Sequence, residues 1–238
     1  DVIVHLPDSG LDNGNPGAPW HPDFATPDGA SDRVAFIKDW TSEAGTLQDG
    51  VDGSGHGTNC AGIVGGYNDA PGTGTGEVST AGYHFGTGVA PTVQLAGTKV
   101  FDSDGIWDYW DDYRQRDASS NPGSQPMVIL FAAGNEGPAT GTITSPGTAK
   151  NVITLGAAEN WWPGYSSCGW SPAMTDSPGD DIAYYSARGP VSDGRIKPDL
   201  AAIAQGWLTT RGEQAGEGCG PPFDGGDPDL YRNFNGTS

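Results

Sequence analysis

Cations are scarce in this sequence: 11 lysines and arginines stand against 30 aspartates and glutamates, a formal net charge of −19. That excess repels phosphate backbones and anionic lipid, so nucleic acid and membrane are not expected partners. Long apolar runs are missing too. Nothing approaches the ~20 residues that a membrane-spanning helix needs, and no basic segment followed by an apolar stretch opens the chain. Asp1 runs directly into Val-Ile-Val-His-Leu, which reads as a processed start, and the expected location is outside the cell. Cysteine appears three times, enough for one internal bridge but not for a disulfide-built scaffold. Cys168 and Cys219 lie in Gly- and Pro-rich sequence and either pair or stand as separate thiols. Cys60 falls inside an apolar helical run.

At 238 residues the chain is long enough to bury a full core. Glycine is abundant, with 39 residues, yet it brackets apolar runs and polar tripeptides and forms no low-complexity tract. Residues 2–6, 34–40, 93–100, 127–133 and 151–158 read as strands from their β-branched or continuous apolar character. Residues 55–66, Gly-His-Gly-Thr-Asn-Cys-Ala-Gly-Ile-Val-Gly-Gly, suit a helix whose small side chains permit tight packing. Residues 106–116 read as a second helix. Short apolar strands alternating with helices predict an α/β fold, a parallel sheet with helices on both faces.

In open parallel sheets, ligands sit beyond the carboxyl ends of strands. Asp8 follows the first strand, His56 opens the small-residue helix between two glycines, and Asn135 follows Phe-Ala-Ala-Gly at another strand end. Each has an ordinary structural use: a turn cap, a satisfied histidine, a turn residue. An Asp, a His, an Asn and a Ser in that order also supply every part of acyl-transfer chemistry. A serine hydroxyl becomes a nucleophile when an imidazole takes its proton, and imidazole titrates near neutral pH. The carboxylate fixes the imidazole tautomer, and the amide donates to the developing oxyanion.

These stretches resemble those of the subtilisin family of serine proteases. Asp-Ser-Gly at 8–10 resembles the family's aspartate motif, and Gly-His-Gly-Thr-Asn-Cys-Ala-Gly at 55–62 its histidine motif. Ala-Ala-Gly-Asn-Glu-Gly-Pro at 132–138 resembles the oxyanion segment, and Asn-Gly-Thr-Ser at 235–238 the start of the serine motif. Residues 88–105, 141–160 and 186–202 also resemble the family, especially its larger secreted alkaline-protease branch. The resemblance implies a subtilisin-like fold and an extracellular serine endopeptidase. Its catalytic residues would be Asp8, His56 and Ser238, with Asn135 as oxyanion donor. It further implies protein or peptide substrates, no cofactor for catalysis, and structural calcium as a possibility at 102–105, 108–112 or 224–229. None of those three stretches has a complete calcium-loop spacing. A monomer is expected.

The sequence also departs from the family. Residues 106–126 lack the Ser-Trp-Gly or Ser-Leu-Gly strand that pairs with substrate, and residues 203–206 replace the usual Pro-Gly. No helix follows Ser238. The expectation is therefore one subtilisin-like catalytic domain over residues 1–238, cut at the nucleophile and lacking a segment near 105–126. A polypeptide ending at Ser238 is expected to be a poor catalyst. The alternative is a catalytically silent protease-like scaffold or fragment that binds peptides or structural partners.

Overall fold

The computed structural model describes residues 2–15, 21–43, 49–68, 76–79, 82–104, 128–160, 181–212 and 227–238. These fall into two compact units, one from Asp1–Asp112 with Leu208–Asn233 and one from Tyr113–Trp207 with Phe234–Ser238. The helix read at 106–116 and both Cys168 and Cys219 lie outside the described residues.

In the first unit, β1 (Ile3–Asp8), β2 (Val34–Asp39) and β3 (Gln94–Lys99) form a parallel sheet in the order β1-β3-β2. Its register sets Asp8 opposite Lys99, so β1 and β3 end together. Helix α1 (His56–Gly65) packs on this sheet through Ala61, which joins Leu11, Phe24, Val34 and Leu95 in one buried cluster. The small residues of α1 are required by close approach. A Cβ on Gly62 would lie 2.2 Å from the Thr210 hydroxyl, and one on Gly66 only 1.9 Å from the Gly86 carbonyl. Strands β7 (Trp207–Thr210) and β8 (Tyr231–Phe234) pair with each other. Thr209 and Thr210 donate their hydroxyls to the α1 carbonyls of Asn59 and Thr58.

Polar groups deep in this unit are tied to backbone. The Arg33 side chain donates to the carbonyls of Ala25, Val93, Asp23 and Gly65, and so fastens a loop, the start of β3 and the end of α1 to one planar fork. Lys99, with no exposed surface, donates to the Val51 carbonyl and pairs with Glu43.

The second unit holds β4 (Leu130–Ala132), β5 (Ile153–Ala158) and β6 (Leu200–Ile203), parallel and in chain order. Two small apolar clusters flank it, Ala133 with Ile143, Ala187 and Val191, and Ala157 with Ala183, Tyr185 and Ala204. β4 is shorter than the apolar run 127–133 suggested, and Leu130 and Leu200 are more than half exposed. The α/β class expected from the alternating pattern is observed, with parallel sheets. α1 is the one α-helix among the described residues.

His21 makes the first unit sensitive to pH. It is buried, its Nδ1 accepts the Asp23 amide and its Nε2 donates to the Leu230 carbonyl, which fixes the neutral ring. Burial lowers its pKa from the ordinary 6.5 to about 4, although the Leu230 bond partly opposes this. A folded-state pKa below the unfolded one gives stability that is complete above about pH 6.5 and is lost as the pH falls towards 4. The loss over that window is about 3 kcal/mol. In urea titrations at about pH 7 and pH 4.5, His21→Gln should lose less stability between the two than the parent. Equal losses would show that His21 is not the sensor.

Candidate active site

His56 owes its position to the way α1 begins. Gly55 adopts a left-handed φ of 81° at the N-cap, turning the chain into the helix with His56 as its first residue. Gly57 then lets the first turn press against the chain leaving β1, since a Cβ there would lie 2.1 Å from the Gly10 carbonyl. Asp8, the last residue of β1, thereby meets the imidazole: His56 Nδ1 donates to Asp8 Oδ1 at 2.7 Å. The same carboxylate oxygen accepts the Ser9 amide at 2.7 Å. Because Nδ1 carries the hydrogen in this pair, Nε2 of the neutral ring is the basic nitrogen.

Burial alone would lower the His56 pKa, but the Asp8 carboxylate outweighs it and holds the imidazole well above 6.5. The His56 side chain keeps 37% of its surface exposed while Asp8 keeps 13%. Cys60, one helical turn on, places its sulfur 3.8 Å from Nδ1. Burial raises that thiol's pKa, with His56 partly opposing the rise, so it is neutral at physiological pH.

In the second unit Asn135 follows β4 and Gly134, whose φ is 106°. Its Oδ1 accepts both the amide and the hydroxyl of Thr237, at 3.0 and 3.1 Å. Two donors on one side of the amide assign Nδ2 as its donor end. The segment carrying Ser238 is fastened residue by residue. Asn235 Oδ1 accepts the Gly206 amide, the Gly236 amide donates to the Ala204 carbonyl, and Thr237 Oγ1 accepts the Gly134 amide. Thr237 is buried and Ser238 is exposed.

Of the four residues expected from the sequence, Asp8 and His56 are thus in contact within one unit. Asn135 and the residue preceding Ser238 are in contact within the other. Sequence reasoning missed Asp52, Cys60 and Thr237 as neighbours of these residues. Asp52, four residues before His56, left no signal in the sequence, since its burial and its donors are visible only in the structure.

Asp8, His56 and Cys60 are also the one group of three metal-capable side chains found among the described residues. An imidazole, a thiol and a single carboxylate do not suit calcium, which takes six to eight oxygen ligands. Of the acidic stretches, 108–112 lies outside the described residues, and at 102–104 the Asp102 carboxylate accepts the Asp104 amide.

The dominance of Asp8 over the imidazole has a direct test. In Asp8→Asn the larger of the two influences that oppose the burial cost of the imidazolium is removed, with only Cys60 left to oppose it, so the His56 pKa should fall clearly below that of the parent. An NMR titration of the imidazole resonances would follow it. A pKa unchanged in the variant would mean that Asp8 does not set the charge on His56.

The family model described as "Subtilase family" matches residues 1–120 and 110–238. Pyrolysin of Pyrococcus furiosus is 32% identical over 216 residues, covering 66% of this chain and 15% of pyrolysin. Serine protease AprX of Bacillus subtilis is 30% identical over 189 residues, covering 63% of this chain and 38% of AprX. The chain therefore spans well under half the length of these curated relatives. Among solved structures, Sphericase is similar over 99% of this chain and 71% of its own, with a TM-score of 0.56 at 22% identity, a likeness of fold. With the family model matching two overlapping segments that together span residues 1–238, and the same α/β fold, this chain belongs to the subtilase family.

Proposed function

We propose that the protein is a serine endopeptidase that cleaves peptide bonds through an acyl-enzyme. The observation that supports this best is the 2.7 Å bond from His56 Nδ1 to Asp8, which leaves Nε2 as a base. On this reading Ser238 Oγ attacks the scissile carbonyl carbon and its proton passes to His56 Nε2. Asp8 holds the imidazolium that forms. The Asn135 amide donates to the oxyanion, and the amine leaves with the proton that His56 returns. A water molecule, deprotonated by the same nitrogen, then hydrolyses the ester and frees Ser238. No metal or organic cofactor enters these steps.

The reading extends to a single catalytic domain built from residues 1–238, acting on protein or peptide substrates outside the cell as a monomer. The acidic composition fits a secreted protein. Among the described residues no helix is long and apolar enough to cross a membrane. Calcium, where bound, would be held by the acidic stretches at 102–105, 108–112 or 224–229 and take no part in the chemistry.

A serine-directed phosphonate offered to the full-length protein should add one label, located at Ser238 by intact and peptide mass. Ser238→Ala should abolish it. Turnover of an unstructured protein such as casein should fall by several powers of ten in Ser238→Ala and in His56→Ala, without additivity, because the two act as one unit. Asn135→Ala should cost about 100- to 1000-fold. A full-length protein that neither labels nor cleaves would be the silent scaffold, and near-normal cleavage by Ser238→Ala would place the nucleophile elsewhere.

A further inference from the structure

Behind the Asp8–His56 pair lies a second carboxylate that the chemistry above does not use. Asp52 has no exposed surface. Its Oδ1 accepts the Gly55 amide and the Ser9 hydroxyl, both at 2.8 Å. Its Oδ2 accepts the amide and the hydroxyl of Thr58, at 2.7 and 2.6 Å. The Gly55 and Thr58 amides belong to the N-terminus of α1, so part of this cluster is a helix cap. The Ser9 hydroxyl oxygen caps the same turn by accepting the Gly57 amide, but the destination of its hydrogen is a separate matter.

Ser9 stands between the two carboxylates with one hydrogen to give. Its Oγ is 3.2 Å from Asp8 Oδ1 and 2.8 Å from Asp52 Oδ1, and it accepts the Gly57 amide at 3.0 Å. The nearer acceptor takes the hydrogen. Asp8 Oδ1 already receives the Ser9 amide and His56 Nδ1. A third donor would spread its charge further and weaken its hold on the imidazolium.

We propose that Asp52 is a positioning residue that draws the Ser9 hydroxyl hydrogen away from Asp8, leaving the Asp8 carboxylate to serve His56. The assignment rests on the reading of His56 as general base only for its consequence in catalysis. The hydrogen-bond arrangement itself stands on this geometry.

Other charges near the site are accounted for. Cys60 faces His56 on α1 and also feels Asp52. Arg232, on β8, interacts with Asp52. Lys99, opposite Asp8 on β3, is committed to Glu43 and the Val51 carbonyl. Asp52→Asn therefore changes two things at His56. It removes a nearby negative charge whatever residue 9 is, and it frees the Ser9 hydroxyl to turn to Asp8 only when the serine is present.

The experiment is an NMR titration of His56 in the full-length protein, in the parent, Ser9→Ala, Asp52→Asn and the double variant. Ser9→Ala should leave the His56 pKa within about 0.3 of the parent. Asp52→Asn should lower it by about one unit more in the Ser9 background than in the Ser9→Ala background. A rise of a full unit in Ser9→Ala would show that the hydroxyl already serves Asp8, and would overturn the proposal even if Asp52→Asn failed to fold. Identical effects of Asp52→Asn in both backgrounds would overturn it as well. The pH dependence of kcat/KM, read alongside, separates the two questions. A His56 pKa that moves as expected while the pH–rate profile stays fixed would sink the general-base reading and leave the Asp52–Ser9 assignment standing.

Discussion

The close approach of the first turn of α1 to the chain leaving β1 is the constraint on which the Asp8–His56 geometry depends. Three glycines make it possible. Gly10 adopts a φ of 124° and would place a Cβ 2.6 Å from the Gly50 carbonyl, Gly55 turns into the helix, and Gly57 meets the Gly10 carbonyl. No side chain can be added at 10 or 57 without moving backbone. The distance from Asp8 to His56 is thus set by main-chain contact, and a main-chain contact is less free to vary than a pair of rotamers. On the proposed reading, in which His56 acts through one 2.7 Å bond to Asp8, the site gains from that rigidity.

Strand and helix identities were legible where apolar character was continuous. The runs at 2–6, 34–40, 93–100 and 151–158 and the small-residue segment at 55–66 correspond to β1, β2, β3, β5 and α1, each within two residues. β6, β7 and β8 escaped notice for a physical reason. Leu-Ala-Ala-Ile is short and poor in β-branched residues, and Tyr-Arg-Asn-Phe mixes an apolar pattern with charge. Such strands form because a neighbour offers them a ladder, and a neighbour distant in sequence leaves no local mark.

The site residues were legible for a different reason. Asp8 and His56 sit in glycine-bearing tripeptides that read equally well as ordinary turn or helix-start sequence, and only the joint pattern separated them from structural residues. Asp52 carried no such signal, because a buried carboxylate in a polar loop looks like any surface aspartate until its donors are known. The same holds for His21. Its lowered pKa comes from desolvation by Phe24 and Tyr231 packed around it, and residue 231 lies far along the chain.

The shortage of cations and the abundance of helix and loop amides are connected. Asp8, Asp12 and Asp52 converge near the N-terminus of α1, and the bonds described for them come from backbone amides, hydroxyls and one imidazole. Asp12 accepts the His21 amide, and Asp52 the Gly55 and Thr58 amides. Amides that point at a carboxylate stabilise its charge without adding a mobile cation. A lysine or arginine in their place would compete with His56 for Asp8 and lower the basicity of the imidazole it is meant to raise. Lys99 is the cation that could do so from the adjacent strand, and it is held by Glu43 and the Val51 carbonyl. Neutralising carboxylates with backbone, and confining the nearby ammonium, leaves Asp8 to act on the imidazole.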